Sequence, residues 1–496
     1  GVRRARRSLY NCLCSVVWDA GFVADAARLR PGSPVVANLR CGRWYVERPE
    51  ACAYFKSADG HHGQWGFSLA RLNAALLPVL ARRGSCLLVD ATRSGKKFPD
   101  ALSKTVPIWC CVLNRALRRA SLGAAEGAAE GNAIDGVDGA SWDPELHLPP
   151  WVPPQEAEAI RGRVEGWVEG LLRSGHDVRE LCAGLAKPLR PLWVSQESRV
   201  WGPAAPDPRE LDFTPVYLVS ASSAEAFTKS RGCEKLRHAW EYVQGAGDDQ
   251  EGWARGLTPE LFWEHHEAIL EAGPGGVQGV VDQLVRGAQA GAGAGPATPR
   301  ALPKSSELHL LAPQGCEGAD PCLVRQQRGM FFLYDWGLAL GGFQAGAAEA
   351  LGAVDCVLNC GLAQHAWAGS AGEEGGQYLH CPVQSGKKDR RSLEGAIPQA
   401  VERVSSWLGE GRRVLIHCDT GTDACVCLAI CTLLAHFTRS PGPSGLRLAP
   451  GCGPEERVTK DAIRHRLGLI SRVYPEARPT RAMLKQVFNH FNPPLV

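Results

Sequence analysis

The segment HCDTGTDA, His417 to Ala424, places a cysteine, hydroxyl side chains and a glycine between a short apolar run and an apolar helix candidate. A strand-loop-helix junction of this kind points several backbone N–H groups at one spot, and the helix dipole adds positive charge there. Gly421 permits the tight backbone. We therefore predict a phosphate-binding loop with a lowered pKa at the cysteine, formed by His417, Cys418, Asp419, Thr420, Gly421, Thr422 and Asp423.

The elements that must hold this loop follow from hydrophobic periodicity. Residues 354–358, 378–383 and 414–416 have the composition of strands, and residues 424–437 form a long apolar run typical of a buried helix. One face of residues 397–408 carries apolar side chains at helical spacing. Thr459 is placed to cap a helix that ends near Val473, and a last helix is predicted from Thr480 to Phe491. This order predicts an α/β domain with a core at about 354–496.

The N-terminal region also alternates helix and strand signals. A helix from Ser68 to Leu80 with a serine cap, a buried strand at 86–89 and a helix at 108–117 predict α/β layering. Two stretches of Gly, Ala and small polar residues cannot bury enough apolar area to order themselves. We therefore predict an N-terminal α/β domain at 1–285 with a flexible insertion at about 122–140, a flexible linker at 286–303, and a C-terminal region at 304–496.

Composition places the chain among ordinary globular proteins. It has 496 residues, 45% hydrophobic and 22% charged residues, and a net charge of +3, which predicts no particular partner. No apolar run approaches the length of about 18 residues that a membrane span needs. The basic start lacks the apolar core of a secretory signal, and the 19 cysteines form neither a disulfide framework nor a paired zinc motif. We expect reduced thiols, a cytoplasmic location, no membrane association and no obligate protein partner.

The Cys418 segment resembles the signature of dual-specificity protein phosphatases, His-Cys-x-x-Gly-x-x-Arg, and the tail from Tyr474 to Phe491 resembles the last helices of that fold. The arginine of the signature is replaced by Ala424. An arginine there would give the phosphoryl group bidentate, charge-assisted hydrogen bonds. Gln384 and Ser385 also stand where that family tends to place an acidic residue. Both departures favour a loop that holds phosphate without cleaving it.

Several long segments resemble the initiator-tRNA phosphoribosyltransferase family, the tRNA 2′-O-ribosylphosphate transferases of fungi and plants. They are SLYNCL, VANLRCGRWYV, YFKSADGHHGQWGFSLARLN, LLVDATRSGKKFPDALSKTVPIWC and HCDTGTD. The resemblance implies transfer of ribose 5-phosphate from phosphoribosyl pyrophosphate to the 2′-hydroxyl of the nucleotide at position 64 of initiator methionyl tRNA, which keeps that tRNA out of elongation. It also implies a phosphatase-like C-terminal domain.

Such a transfer requires a site for the sugar phosphate, neutralisation of the pyrophosphate, usually by Mg²⁺, and a base for the hydroxyl. Asp90 ends a strand candidate and is predicted to contact the sugar, while phosphate binding is predicted for Thr92, Arg93, Ser94, Gly95, Lys96 and Lys97. A plain turn with solvated lysines fits the same residues. Asp59 and His61 are candidates for a base or a metal ligand, next to Lys56 and Ser57, although a turn and a cap also fit them.

A basic loop beside the Cys418 segment is the candidate contact with RNA. It contains Lys387, Lys388, Arg390 and Arg391. Double-helical RNA is recognised mainly by its shape, its phosphates and its 2′-hydroxyls, which suits such a loop. Two other hypotheses remain open: an impaired or active dual-specificity phosphatase, and a module that binds phosphate or RNA without turnover. The sequence leaves the metal ligands unknown.

Overall fold

The computed structural model describes most of the chain. The described residues are 7–93, 95–125, 142–198, 207–224, 238–291, 326–327, 329–346, 353–365, 378–384, 391–440, 445–449 and 457–493. The chain divides into two compact units, Gly1–Arg286 and Gly287–Val496. The core of the predicted insertion, 126–140, and most of the predicted linker, 292–303, lie outside the described residues.

The first unit is built on a parallel sheet. Its helices and strands are α1 (Leu9–Arg28), β1 (Val35–Asn38), β2 (Ala51–Ala53), α2 (Leu76–Arg83), β3 (Cys86–Asp90), α3 (Val106–Ala125), α4 (Pro154–Leu172), α5 (Val178–Leu181), β4 (Leu189–Ser195), β5 (Thr214–Ser220), α6 (Pro259–Glu271) and α7 (Gly273–Gly291). The five strands lie in the order β2-β1-β3-β5-β4, and every neighbouring pair is parallel. The predicted α/β class is confirmed for this unit.

Both faces of this sheet are covered. In β3, Cys86 and Leu88 belong to one hydrophobic cluster with α3 and α4, whereas Leu87 and Val89 belong to a second cluster with α1, α6 and α7. Because successive side chains of a strand point to opposite faces, a strand covered on both sides must be apolar throughout. This explains why CLLV reads as one uninterrupted apolar run.

The predicted helix from Ser68 to Leu80 is wrong in its first half. Residues Leu69–Arg71 form one turn of 3₁₀ helix without a side-chain cap from Ser68, and the α-helix begins only at Leu76. Asn73, with a φ of +53°, breaks the helix between them. Its side chain accepts from the Tyr54 N–H at 2.7 Å and donates to the Arg71 carbonyl at 3.1 Å. An asparagine that satisfies neighbouring backbone groups tolerates the left-handed region.

The second unit contains a mixed sheet. Its elements are β6 (Gln326–Gln327), β7 (Met330–Leu333), β8 (Leu338–Gly341), β9 (Cys356–Asn359), β10 (Tyr378–His380), α8 (Ser392–Gly409), β11 (Val414–His417), α9 (Ala424–His436), β12 (Phe437–Arg439), β13 (Leu446–Leu448), α10 (Lys460–Val473) and α11 (Arg481–Phe491). The sheet order is β10-β9-β11-β8-β7-β6, and the four strands from β10 to β8 are parallel. β11 therefore lies in the middle and ends at His417.

The predicted helix starts of this unit are confirmed. Thr459 and Thr480 accept hydrogen bonds from Ala462 N and Met483 N, and so cap α10 and α11. α9 begins at Ala424 and is almost wholly buried, as its apolar composition predicts. No helix in the described ranges is both long and apolar enough to cross a membrane.

Candidate active site at the carboxyl edge of the first sheet

Four polar residues form a row across the carboxyl edge of the first sheet. Asp90 ends β3 and pairs in register with Ser220 of β5, which pairs with Ser195 of β4, and Asn38 ends the neighbouring β1. All four side chains are buried. The hydroxyls of Ser195 and Ser220 have no hydrogen-bond partner among the described residues. Burying a polar group without a hydrogen-bond partner costs free energy. A buried polar row at the edge of a sheet is therefore a candidate functional site.

The row crosses the point where the strand order reverses. From β1 the chain moves to one side to form β2, then returns past β1 to form β3 on the other side. In open α/β sheets, ligands bind outside the carboxyl ends of the strands at such a switch point. The loop after β1 packs closely against β3 here, since a Cβ at Gly42 would collide with the Val89 carbonyl oxygen. This glycine is needed for the close approach.

Asp90 is fully engaged by its neighbours at this point. Its carboxylate accepts from Asn38 Nδ2 at 2.8 Å, from Arg40 Nε and Nη2 at 3.0 Å each, and from the Ala91 N–H at 2.9 Å. The Cys41 thiol adds a fifth contact at 2.9 Å. The side chain has no exposed surface. Asp90 therefore positions the loop after β1, and it is placed to hold Arg40 rather than to contact a substrate directly.

Arg40 links Asp90 to a second carboxylate from a distant part of the chain. Its Nη1 group pairs with Asp248 Oδ1, and its Nη2 group donates to the Ala91 carbonyl. The other Asp248 oxygen, Oδ2, lies 4.0 Å from Arg93 Nε, and Arg93 pairs at 2.6 Å with Asp249. Burial raises the pKa of Asp248, against the opposing effect of Arg40. Asp248 is thus a partly exposed carboxylate with an elevated pKa at the switch point, and the sequence analysis did not select it.

The two predicted N-terminal segments meet through Asp100. His61 Nε2 and Lys96 Nζ lie 3.7 Å and 3.1 Å from Asp100 Oδ2. The loop after β3 is fixed by Gln244, whose side chain accepts from the Gly95 N–H and donates to the Lys96 carbonyl, both at 2.8 Å. The loop after β2 therefore lies beside the loop after β3, at the same edge of the sheet.

The other predicted residues of these segments have more varied surroundings. Asp59 forms a bidentate pair with Arg71 at 2.7 to 3.2 Å, so its carboxylate is already compensated. Thr92 is buried, and its N–H lies 3.2 Å from the Ser222 hydroxyl. Lys56 and Lys97 are exposed, Ser57 is half-buried, and Ser94 lies outside the described residues.

The Cys418 loop of the second unit

The loop between β11 and α9, in which the sequence predicts an anion cradle, makes a tight turn. Gly421 has a φ of +74°, and a Cβ there would lie 2.6 Å from the Tyr474 hydroxyl and 2.7 Å from Gly342 N. Thr420 and Thr422 bond to each other through their hydroxyls at 2.9 Å. Asp419 points out of the loop and accepts from the Leu362 N–H at 3.1 Å and 3.2 Å. The tight turn that the sequence predicts is confirmed.

The pKa of Cys418 is lowered, as predicted from the loop. Hydrogen bonds from the Cys360 and Cys425 thiols are the largest causes, and backbone N–H groups of the loop add to them. The Sγ atoms of Cys418 and Cys425 lie 3.4 Å apart, and Cys425 is buried with a raised pKa. The sequence predicts this shift from the helix terminus alone. In the structure the thiols of Cys360 and Cys425 lower the pKa of Cys418 more than the backbone N–H groups do.

Asp423 partly fills the cradle that a phosphate would occupy. Its Oδ1 atom accepts from the Ala424 N–H at 2.6 Å and lies 3.7 Å from Cys418 Sγ. Burial raises the pKa of this carboxyl, and the nearby Cys418 thiolate raises it further. An anion entering the loop must therefore displace or protonate Asp423. Ala424 begins the helix and offers no cation in compensation.

His417 is a buried neutral histidine behind the cysteine. Its Nε2 atom lies 3.2 Å from Nε2 of His365, and its Nδ1 atom has no partner among the described residues. Burial, together with the neighbouring His365, lowers the pKa of His417 to about 3. The ring therefore stays uncharged throughout the physiological range.

This shift predicts a loss of stability in acid. The unfolded chain takes up a proton near the ordinary histidine pKa of about 6.5, whereas the folded chain takes it up only near 3. Stability is therefore lost as pH falls through that window, and at pH 5 the loss from this residue is about 2 kcal/mol. Urea unfolding at pH 7 and pH 5 measures it. The His417→Gln variant should lose about 2 kcal/mol less between the two pH values than the parent protein.

The control is His465→Gln, which removes a partly exposed histidine on α10. It should keep the pH dependence of the parent protein. Equal acid sensitivity of the His417→Gln variant and the parent would show that His417 titrates alike in the folded and unfolded chains.

No cluster of three or more potential metal ligands occurs within the described part of the chain. The oxygens of Asp90 are already taken by five donors. In this arrangement Asp90 has no carboxylate oxygen free to bind a metal ion. Of the predicted RNA-binding loop, only Arg391 is described, directly before α8, while Lys387, Lys388 and Arg390 lie outside the described residues.

Comparison with known proteins gives the family. Two family models match: one described as the Rit1 N-terminal domain over residues 2–286, and one described as the Rit1 DUSP-like domain over residues 377–491. The chain belongs to the Rit1 family. The Rit1 family match to the second unit agrees with the predicted phosphatase-like C-terminal domain.

Two curated relatives are similar over part of their length. An uncharacterized protein of Schizosaccharomyces pombe is 42% identical over 266 residues, which are 52% of this chain and 52% of the relative. A Saccharomyces cerevisiae protein named tRNA A64-2′-O-ribosylphosphate transferase is 35% identical over 296 residues, 55% of this chain and 53% of the relative. The chain thus spans about half the length of the curated relatives it matches.

Among solved structures, human DUSP28 is 16% identical, with a TM-score of 0.23 over 32% of this chain and 92% of its own. The Yvh1 phosphatase domain of Chaetomium thermophilum is 18% identical, with a TM-score of 0.24 over 33% of this chain and 91% of its own.

Proposed function

We propose that this protein is a tRNA-modifying pentosyltransferase that moves ribosyl 5-phosphate from phosphoribosyl pyrophosphate to a tRNA 2′-hydroxyl. The acceptor is the nucleotide at position 64 of initiator methionyl tRNA, and the modification keeps this tRNA out of elongation. The observation that carries the proposal is the family match across the whole first unit, joined to a charged cluster at the switch point of its sheet. The name of the yeast relative supplies the reaction and the acceptor atom.

The chemistry resides in the N-terminal domain, residues 1–285. The acceptor oxygen attacks C1 of the donor ribose, the bond from C1 to the pyrophosphate oxygen breaks, and pyrophosphate leaves with the electron pair. Asp248 Oδ2 receives the hydroxyl proton, because its elevated pKa and partial exposure suit a base. Arg93, at the exposed rim of the loop after β3, holds the donor phosphates. Mg²⁺ bound to the donor would neutralise charge on its pyrophosphate.

The sequence-derived alternatives for the base are Asp59 and His61. Asp59 uses both carboxylate oxygens in its pair with Arg71, whereas Asp248 pairs with Arg40 through Oδ1 and has Oδ2 4.0 Å from the nearest Arg93 nitrogen. His61 is exposed at 52% of its side chain, against 18% for Asp248. Asp90 is a positioning residue that fixes Arg40, and through it the orientation of Asp248.

The phosphatase-like domain, with its core at about 354–496, contributes binding. The Cys418 loop holds a phosphate of the RNA or of the product without cleaving it, and the loop at 387–391 contacts RNA. A loop with Ala424 in place of the arginine and with Asp423 inside the cradle lacks the cation that phosphoryl transfer needs.

The test uses the full chain with phosphoribosyl pyrophosphate, Mg²⁺ and an unmodified initiator tRNA transcript. Mass spectrometry should find one ribosyl phosphate added, and nuclease mapping should place it at position 64. An elongator tRNA transcript is the control and should stay unmodified. An unchanged initiator tRNA under these conditions, or equal modification of both tRNAs, would overturn the proposal.

A parallel arm tests hydrolysis by the second unit. The full chain should not turn over a small aryl phosphate above background. Turnover that disappears with Cys418→Ser would instead support a phosphatase. Tight tRNA binding without any product would support a binding module.

A further inference from the structure

An exposed aromatic stack stands beside the cationic loop of the first unit. Trp151 keeps 46% of its surface exposed, and it is the one aromatic side chain among the exposed large hydrophobic residues of the described ranges. Its ring lies parallel to that of Phe98, with centroids 4.8 Å apart and an interplanar angle of 13°. Tryptophan is enriched at binding interfaces, because its large ring supplies contact area.

The stack is held rigid from several sides. Trp193 of β4 packs edge-on against Trp151, with centroids 5.9 Å apart, and is itself anchored by Nε1 to the Leu102 carbonyl at 2.9 Å. The Trp151 Nε1 group lies 3.3 Å from the Ser103 hydroxyl. The chain around Trp151 reads PPWVPP, and prolines fix the backbone on both sides of the ring. The ring is therefore preorganised before any ligand arrives.

The position of the stack connects it with the candidate active site. Phe98 follows Lys96 and Lys97 in the loop that begins at Asp90. Lys96 is exposed, with 58% of its side chain accessible, and Lys97 is exposed as well. Binding sites for single-stranded nucleic acid commonly combine cations with an aromatic platform. The lysines bind backbone phosphates, and a base stacks on the aromatic ring.

We propose that Trp151, stacked on Phe98, is a platform on which one unstacked nucleobase of the RNA substrate rests while the backbone phosphates meet Lys96 and Lys97. This inference rests on the proposed function for the identity of the RNA. It adds a specific contact outside the switch-point cluster.

Equilibrium binding of unmodified initiator tRNA, measured without donor, tests the platform. Stacking of a base on an aromatic side chain contributes about 1–3 kcal/mol, so Trp151→Ala should weaken binding about 5- to 150-fold. Trp151→Phe keeps a stacking face and should stay within about threefold of the parent. Leu172→Ala removes another exposed hydrophobic side chain and should bind like the parent.

Two further readouts separate stacking from a general loss of structure. Trp151→Ala should leave the slope of log affinity against log salt unchanged, whereas Lys97→Ala should reduce it by about 1. An abasic oligonucleotide should bind the parent and Trp151→Ala equally well. Parent-like tRNA binding by Trp151→Ala, or equal weakening by Trp151→Ala and Trp151→Phe, would overturn the platform. The binding assay contains no donor. Its outcome therefore does not depend on whether the transfer assay succeeds or fails.

Discussion

Replacing Asp248 with asparagine should lower the rate of ribosyl-phosphate transfer about 10²- to 10⁴-fold, the usual loss when a general base is removed. The amide keeps the size of the side chain and can still accept a hydrogen bond from Arg40, so folding should be preserved. The parent rate should fall as pH drops through the elevated pKa of Asp248. This fall at low pH, the acidic limb of the pH–rate profile, should be absent from the profile of the variant. Single-turnover kinetics across pH with saturating tRNA measure both effects.

Asp249→Asn is the matched control, because it removes a carboxylate from the next position in the chain. Asp249 pairs with Arg93 at 2.6 Å and with Arg7, so both of its oxygens already have arginine partners. We expect less than a tenfold loss, with the acidic limb retained. Asp59→Asn and His61→Gln form the comparison arms. If either of them, and not Asp248→Asn, removes the acidic limb, the base is assigned to the wrong residue.

The Asp90→Asn variant should be strongly destabilised, by about 3–5 kcal/mol, which is the typical cost of breaking a buried ion pair from one side. Asp90 has no exposed surface and Arg40 only 16%, so water cannot replace the lost partner. The asparagine would also turn N–H groups toward donors from Asn38, Arg40 and the Ala91 backbone. Urea unfolding of the full chain at neutral pH measures the loss.

The Arg40→Met, Asp90→Asn double variant completes a cycle. It should be less unstable than the sum of the two single variants, by about 0.5–3 kcal/mol, because the two side chains are in direct contact. Asp59→Asn breaks a pair that is 21% and 28% exposed, and should cost about 1 kcal/mol or less. Stability of Asp90→Asn within about 1 kcal/mol of the parent would mean that the cluster does not depend on this carboxylate.

The local features of the fold could be predicted from the sequence because their causes are local. β3 and β11 were predicted from apolar runs, the cap at Thr459 from a hydroxyl before a helical pattern, and the start of the last helix near Thr480 from its apolar spacing. The same rule failed at Ser68. There the outcome depends on the contact between Asn73 and Tyr54, nineteen positions earlier, which no periodicity reveals.

Only part of the candidate site could be predicted from the sequence, for a related reason. Asp90 stands out as an acid at the end of an apolar strand, and the loop after it shows lysines and a glycine. Arg40 and Asp248 are separated by 208 positions, and nothing in either local segment marks them as partners. The order of the strands would have indicated this pairing, since the loop after β1 must meet the loop after β3 at a switch point. That order depends on the fold.

The polar row at the carboxyl edge also constrains how this gene can vary in length. Because side chains alternate between faces, deleting or inserting one residue within Cys86–Asp90 would turn the Asp90 carboxylate toward the hydrophobic layer beneath α1. Arg40 would lose one of its two carboxylate partners in the same event. Insertions or deletions of one residue inside this strand should therefore be absent from functional alleles. Length changes should instead occur in loops that do not fix the pairing of the strands.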